Sequence, residues 1–546
     1  MNFIKKLIYA AAVLAMPAMS FGQNSDTESP KENWQNLDLK KDGVFGISTE
    51  KAYKELLKGK TSKSVIVAVI DGGVDGNHED LKQIMWVNSK EIPGNGIDDD
   101  KNGYIDDVHG WNFIGAANGN NVHHDNMELV RLIVKLQPKY ASALNSTPFD
   151  EKERKEFGLY QKLVTDYMEK LQSAQMGLQN TTMIKKYLDE IVAKIGIANP
   201  KNEDFSAYKP LNDTESQVIK FIKPELKKRD YKKFREELEE GLKYYDAEVK
   251  YHLNLDFDPR KDSVGDNYSN SNEHTYGNKD ITGPDAEHGS HVAGIIGAVR
   301  NNNLGIKGVS DNVKIMAIRA IPDGDERDKD VANSIRYAVD NGAKIINMSF
   351  GKGYAWDKKV VDEAVKYAIS KNVLFVHAAG NDGKDTQKGE NYPNRLFSDS
   401  TGVTMGTADG WIEVGASSWK NDEDLVATFS NYGQKSVDVF APGVKINSTL
   451  PDSKYKENDG TSMASPVVAG LAALIWSYYP QFTATQIKNI IMNSVTKVEQ
   501  KVKVKDEGNS KRVALNEISV SGGVINAYNA LLLAEKTNST SALKSK

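Results

Sequence analysis

The chain contains no cysteine. Disulfide staples, thiol nucleophiles and thiolate metal centres are therefore excluded, and a fold working in an oxidising compartment must be held by its core or by hard cations. Excess positive charge is also lacking. The formal net charge is −5 over 546 residues, and −7 once Lys5 and Lys6 are removed with a leader, which leaves no electrostatic footprint for a nucleic acid. The apolar stretch Leu7 to Met19 is too short to span a bilayer, so no transmembrane anchor is expected there. No serine stands in a G-x-S-x-G turn, which argues against a lipase-type hydrolase. The string His78-Glu79-Asp80-Leu81-Lys82 lacks the second histidine of a zinc-protease helix.

The chain does start with a basic pair, a short apolar run and then small residues at Ser20 and Gly22. This predicts a secretory signal over residues 1–22, cleaved after Gly22 or, as the rival, after Ser20. Without a cysteine at the junction, lipid anchoring is not expected. The protein is expected to be exported, to the periplasm, the outer cell envelope or the medium.

The chemistry concentrates in four blocks. Gly460-Thr461-Ser462-Met463-Ala464-Ser465-Pro466 precedes a continuous apolar run that reads as a buried helix. A serine at a helix N-terminus sits among free N–H groups at the positive end of the dipole, a setting that stabilises an oxyanion. Upstream, Ser64 to Ile70 is a β-branched run of the kind buried on both faces of a parallel sheet, and it ends in Asp71-Gly72-Gly73-Val74-Asp75. An acid at the tip of such a strand lies where open α/β sheets build their sites. His288-Gly289-Ser290-His291-Val292-Ala293-Gly294 opens a second small-residue helix, with His288 at its exposed edge. Val373 to Gly380 reads as another buried strand running into Asn381-Asp382.

Together the Asp71, His288 and Ser462 blocks resemble the signatures of the subtilisin-like (subtilase) serine proteases, in that family's chain order. The resemblance covers about residues 63–125 and 255–494, and includes Phe429-Ser430-Asn431-Tyr432-Gly433 and Ala441-Pro442-Gly443. It implies an α/β fold, a subtilisin-like parallel sheet with helices on both faces, and an endopeptidase. Ser462 is then the nucleophile, His288 the base, Asp71 its orienting acid and Asn381 the oxyanion donor. Ser349, Phe350 and Gly351, within the segment Asn347 to Gly351, resemble the edge strand that pairs with an extended peptide, and Ala379 and Gly380 join the substrate-binding set. No cofactor is expected for catalysis, and the expected partners are protein or peptide substrates. His291 is expected to brace its helix. His78, His123, His124 and His377 are expected to be structural or solvated.

One metal signal stands apart. Asp98-Asp99-Asp100-Lys101-Asn102-Gly103-Tyr104-Ile105-Asp106-Asp107 follows the first ten positions of an EF-hand loop, but His109 stands where that loop needs glutamate. The expected ligands of a structural calcium ion are Asp98, Asp100, Asn102, Tyr104 (through its carbonyl), and Asp106 or Asp107.

The departure from the family is an interval of 217 positions between Asp71 and His288. Within it, apolar residues recur at helical spacing: Leu129, Leu132, Ile133, Leu136; Tyr160, Leu163, Tyr167, Leu171; Ile184, Leu188, Ile191, Ile195; Tyr231, Phe234, Leu238, Leu242, Tyr245. Thr214 with Gln217 reads as a capping box. The expectation is an inserted all-helical subdomain over 126–254, of four or five helices, whose apolar stripes form its own core and whose charged faces are solvated. The alternative is that it covers the cleft, restricting substrates or restraining activity. The remaining organisation is an extension over 23–62, too short for a folded inhibitory propeptide, a catalytic domain over 63–125 and 255–533, and a disordered tail over 534–546. A substrate-binding pseudoprotease, or a carrier using the insertion, is the rival reading. It would require a defect at Asp71, His288, Asn381 or Ser462, and the sequence has none.

Overall fold

The structure, a computed structural model, describes residues 29–387, 391–399, 403–506 and 509–544. The leader expected at 1–22 lies outside the described residues.

The runs Ser64 to Ile70 and Val373 to Gly380 become strands, with bounds shifted by a few residues, and four further strands of similar kind join them. They are β1 (Val65–Asp71), β3 (Val313–Arg319), β4 (Ile345–Met348), β5 (Leu374–Ala378), β6 (Trp411–Ser417) and β7 (Val439–Pro442). Three short strands complete the sheet: β2 (Gly110–Asn112), β8 (Thr496–Lys497) and β9 (Gly523–Val524). Their order is β8-β9-β7-β6-β5-β4-β1-β3-β2. Every neighbouring pair is parallel except β8 with β9.

Alternate side chains of a strand face opposite sides of the sheet, and here they feed two separate cores. Val65, Val67 and Val69 of β1 pack with the helices Glu287–Gly297, Thr461–Tyr478 and Ala484–Asn493. Ala68 and Ile70 pack with the helices Asp328–Asp340 and Lys358–Ser370. Helices therefore cover both faces, which explains why the strands are continuously apolar. The helix Thr461–Tyr478 is long and apolar enough to cross a membrane, but 89% of it is buried inside the fold.

The chain divides into two compact units, of which one comprises residues 28–132 and 256–546. The segment expected as an extension is part of this unit's core. Trp34 is 1% exposed and Ile47 fully buried, the Phe45 N–H donates to the Trp419 carbonyl (2.9 Å) and the Ala527 N–H to the Ile47 carbonyl (2.7 Å). The tail also differs from expectation, since the last helix runs Ala527–Lys544, past Glu535. Its polar end has partners: Glu535 meets Lys60 (3.1 Å) and Asn538 meets Gln481 (2.6 Å).

The other unit contains residues 133–255. The two stripes Tyr160–Leu171 and Ile184–Ile195 belong to one 45-residue helix, Glu151–Ile195, capped by Asp150 with Glu153 and ended by Gly196. It continues because Gly177, the weak point between the stripes, is covered by the Tyr245 ring. Shorter helices follow at Asn202–Ala207, Asp213–Glu225 and Tyr231–Ala247. The cap of the helix Asp213–Glu225 is Asn212, whose side chain accepts from the Glu215 N–H, and not Thr214, which lies inside the helix. Ile184, Leu188, Ile191, Phe205, Val218, Ile222, Phe234 and Leu238 form this unit's own apolar core.

Candidate active site

Three distant segments deliver the key side chains. Asp71 is the last residue of β1, 3% exposed. Its carboxylate lies 2.8 and 2.9 Å from His288 Nδ1. The approach is this close because residue 289 is glycine. A Cβ there would stand 2.1 Å from the Gly73 carbonyl oxygen and 3.0 Å from Asp71 Cβ. His288 is 45% exposed, so Nδ1 is fixed while the far edge of the ring meets solvent. Desolvation pulls the imidazole pKa down, but the Asp71 carboxylate, with Asp285 and Glu287 nearby, holds it above its ordinary value.

Ser462 is the second residue of the helix Thr461–Tyr478 and is half-buried. Its Oγ donates to the Ser349 carbonyl (3.1 Å), and no hydrogen bond joins it to His288 in this structure. A long or absent nucleophile–base bond is common where no substrate is bound. Below it, Ser349 Oγ donates to the Ser462 carbonyl (3.1 Å), Asn347 Nδ2 to Ser349 Oγ (3.0 Å) and Ser465 Oγ to Asn347 Oδ1 (2.8 Å). These bonds fix the first turn of the helix against the end of β4.

The orientation of Asn381 follows from its neighbour. Its Oδ1 accepts from both the N–H and the hydroxyl of Thr461 (2.9 Å each). The carbonyl end of the amide is thus committed, and Nδ2 must be the outward donor. Gly460 keeps its side-chain position open near that donor. A Cβ at residue 460 would stand 3.5 Å from the Ser462 N and 3.7 Å from Asn381 Nδ2, at a backbone φ of +153° that favours glycine. A vacant space flanked by two N–H donors is the geometry of an oxyanion hole.

The cleft at this site is lined by Asp71, Gly72, His288, Ser349 and Phe350, with His123, Asp285, Arg319 and Asp323 along its wall. Of the expected substrate-binding residues, Ser349 and Phe350 line it. The edge-strand expectation needs correction: β4 pairs with both β1 and β5, so Asn347 and Met348 are interior. Only the stretch beyond Met348 leaves the sheet. Ala379 and Gly380 contribute no spare backbone donors. The Ala379 N–H donates to the Val414 carbonyl and the Gly380 N–H to Thr461 Oγ1, and both carbonyls accept from Asn431.

His291, three residues after His288, is buried, with Nε2 against the Lys456 carbonyl (3.0 Å), and burial pulls it down to about 4. His78 and His377 are also buried, against the Lys454 carbonyl and against Glu413 with the Phe350 carbonyl. Arg319 and Thr461 were not anticipated. Arg319, last in β3 and opposite Asp71 in the register, is 1% exposed and donates to the Val122 and Ile114 carbonyls. Thr461 was legible in principle, as the neighbour of Ser462.

The acidic loop groups its residues differently from the expected ligand set. One carboxylate oxygen each from Glu91, Asp98 and Asp100 can lie within 4.8 Å of one another. Asp106 is taken by Lys279 (2.7 Å) and the Gly94 and Gly96 amides. Asp107 is taken by Tyr337 (2.6 Å), Asn88 and Asn102. Asn102 Oδ1 accepts from the Tyr104 N–H, and the Tyr104 ring packs on Trp111, Phe113 and Tyr337. Glu91 stands outside the ten-residue pattern, which is why the pattern missed it.

Comparison with known proteins identifies the family of the chain. The profile of the subtilase family matches residues 62–513. A thermophilic serine proteinase of Bacillus sp. (strain AK1) is 42% identical over 191 residues, 35% of this chain and 42% of that protein. A thermostable alkaline protease of Halalkalibacterium halodurans is 37% identical over 210 residues, 38% of this chain and 52% of that protein. Subtilisin BL of Lederbergia lenta is 35% identical over 210 residues, 38% of this chain and 70% of that protein. The chain thus spans 42% and 52% of the length of the first two relatives. The protease domain of PatA, solved as a serine-to-alanine mutant, is 25% identical, covers 46% of this chain and 82% of that chain, and has a TM-score of 0.36.

Proposed function

The chain belongs to the subtilase family, and on that premise we propose that it is an exported serine endopeptidase that cleaves protein and peptide substrates through an acyl-enzyme on Ser462. The observation that carries this reading is the Asp71–His288 pair, at 2.8 and 2.9 Å, together with Asn381, whose Oδ1 is held by Thr461 so that its Nδ2 is left as the donor near the Ser462 backbone N. A donor pair adds nothing to a binding scaffold but stabilises the oxyanion of acyl transfer.

In this mechanism Ser462 Oγ leaves its bond to the Ser349 carbonyl and turns to His288. His288 Nε2 takes the hydroxyl proton as Oγ attacks the scissile carbonyl, and returns it to the leaving amine. The Asp71 carboxylate keeps the proton on Nδ1 and stabilises the imidazolium. Asn381 and the Ser462 N–H receive the oxyanion. Ser349 to Gly351, where the chain leaves the sheet, offer main-chain groups to an extended peptide, a mode that reads side chains only weakly.

Export is supported by the basic, apolar and small-residue order of residues 1–22. A structural calcium ion is supported by the convergence of Glu91, Asp98 and Asp100, an all-oxygen donor set that suits a hard cation. A chelator is then expected to lower the melting temperature, and an unchanged transition would remove calcium from the account. Residues 126–254 are assigned the selection of substrates, from their position between two catalytic blocks. Excising residues 133–255, which leaves Glu128 and Arg131 in the sheet unit, should broaden cleavage of a large unfolded protein relative to a short peptide.

Casein cleavage by the wild type and by Ser462→Ala tests the central reading. The variant is expected to lose about six orders of magnitude in kcat. Equal cleavage by both proteins refutes the serine mechanism, and no cleavage by the wild type favours a binding role.

A further inference from the structure

We propose that His123, His124 and Asp323 form a site for a borderline dication, Zn2+ in particular, in the wall of the cleft, and that filling it obstructs peptide entry. The inhibitory half of this rests on the protease reading above, whereas the metal site itself does not.

The three residues come from two segments bonded to each other. The Asp323 N–H donates to the His123 carbonyl (2.8 Å), the Asp125 N–H donates to the Asp323 carbonyl (2.8 Å), and His124 pairs with Asp323 in a parallel bridge. The side chains are therefore displayed from fixed backbone. Successive residues of an extended chain point to opposite faces, yet the rings of His123 and His124 have centroids 4.1 Å apart and planes tilted by only 32°. The backbone turns both imidazoles to one side, where Asp323 Oδ2 lies 2.7 Å from His124 Nδ1. One ligand atom from each of the three lies within 4.8 Å of the others.

A surface His–Asp pair would account for His124 and Asp323 and contribute little to stability. It leaves the stacked His123 without a purpose. Two imidazoles and one carboxylate are the donor set of a zinc site with an open fourth position, and nitrogen donors disfavour calcium and magnesium. In a tetrahedron with bonds of 2.0–2.1 Å the ligand atoms stand about 3.4 Å apart. The His124–Asp323 pair spreads slightly to admit the ion, and the exposed His123 ring closes in. The ion replaces the proton shared by Nδ1 and the carboxylate, and that proton goes to solvent.

Position links the site to function. His123 and Asp323 line the same cleft as Asp71, His288, Ser349 and Phe350. Ile321, two residues before Asp323, donates its N–H to the Asp71 carbonyl (3.2 Å). An ion with its own water or substrate ligand at this wall narrows the path of an extended peptide.

Zn2+ titration calorimetry on Ser462→Ala, with excess Ca2+ to fill the all-oxygen loop, tests the site without any need for activity. The expected result is one ion per chain, with affinity reduced about tenfold or more in His123→Gln and in His124→Gln, and retained when His288→Ala is added to Ser462→Ala. Gln keeps size and polarity, and circular dichroism checks that the variants fold. Absence of binding in the Ser462→Ala parent, or affinity unchanged from that parent in either Gln variant, overturns the site. With the wild type and a short chromogenic peptide, Zn2+ should raise KM several-fold at unchanged kcat, and the His123→Gln/His124→Gln protein should not respond. Zn2+ binding without any effect on cleavage overturns the obstruction. Intact Zn2+ binding in a wild type that cleaves nothing upholds the metal site and removes the protease reading instead.

Discussion

In the helical unit, Lys185 reaches Asp189 and Glu239 at 3.3 and 3.5 Å from positions 31%, 48% and 49% exposed. In the sheet unit, Lys352 is 1% exposed and lies 2.6 Å from Glu128 and 2.7 Å from Asp328. Arg260 clamps Asp266 and Asp330 there, Lys329 also reaches Asp266, and Arg327 holds Asp125. Burial is deep enough to push Glu326 up to about 8 despite Lys352 beside it. The helical unit thus holds together through Leu188, Ile191 and Leu238, which recur at helical spacing, and leaves charges such as Lys185, Asp189 and Glu239 in water. Glu215, paired to Lys194, and the Glu248–His252 pair are buried exceptions. The sheet unit uses buried ion pairs to join segments near residues 125–131, 260–273, 325–330 and 352, which are remote in sequence. Buried pairs cost desolvation and add little net stability, but removing one partner leaves a charge stranded. Their effect is to hold those loops in a single arrangement.

The largest expected effect concerns the active centre. Asp71→Asn should lower kcat about 10⁴-fold by releasing the imidazole tautomer. It should also move the pH profile. In the wild type His288 must be neutral to accept a proton, so kcat/KM rises as pH passes through a midpoint held above the ordinary histidine value by Asp71. In Asp71→Asn that midpoint should fall, and an unmoved midpoint would disconnect the two residues. The linkage to stability has the opposite sense. The raised folded value means the charged pair stabilises the fold fully below the unfolded histidine value, and this contribution is lost as pH rises through the folded one.

Next in size, Lys352→Met should cost about 3–5 kcal/mol in urea unfolding, because Asp328 stays buried without this cation and Glu128 keeps only Arg131. A loss under about 1 kcal/mol would erase the contrast between the units. Leu188→Ala should cost about 2–5 kcal/mol. Hydrogen exchange should accelerate across the helices Glu151–Ile195, Asp213–Glu225 and Tyr231–Ala247 while β1 and β3 stay protected. Acceleration in β1 of the same size would show a single cooperative core. The smallest effect is Lys185→Met, expected within about 0–1 kcal/mol by the same urea assay.

The legible parts of this protein are those written in contiguous residues. β1 and β5 were readable because a strand buried on both faces is apolar throughout. Ser462, His288 and Asp71 stood out because small residues around each permit close backbone approach. Two helical stripes looked like two helices because periodicity carries no information about whether a glycine between them is covered, as Gly177 is by Tyr245. Asn347 looked like edge because a short apolar run does not state how many neighbours it has.

By itself, then, the sequence determined the chemical inventory: no thiol, an acid at a strand tip, a histidine and a serine at helix starts, and an asparagine after a buried strand. Only the tertiary structure decided how these are used. It commits Asn381 Oδ1 to Thr461 and so aims Nδ2, sets Glu91 beside Asp98, turns Asp106 and Asp107 away, and joins His123 and His124 to Asp323. Each of these depends on a contact or a turn of the backbone that local spacing does not encode, and most lie between segments brought together only when the sheet closes its order.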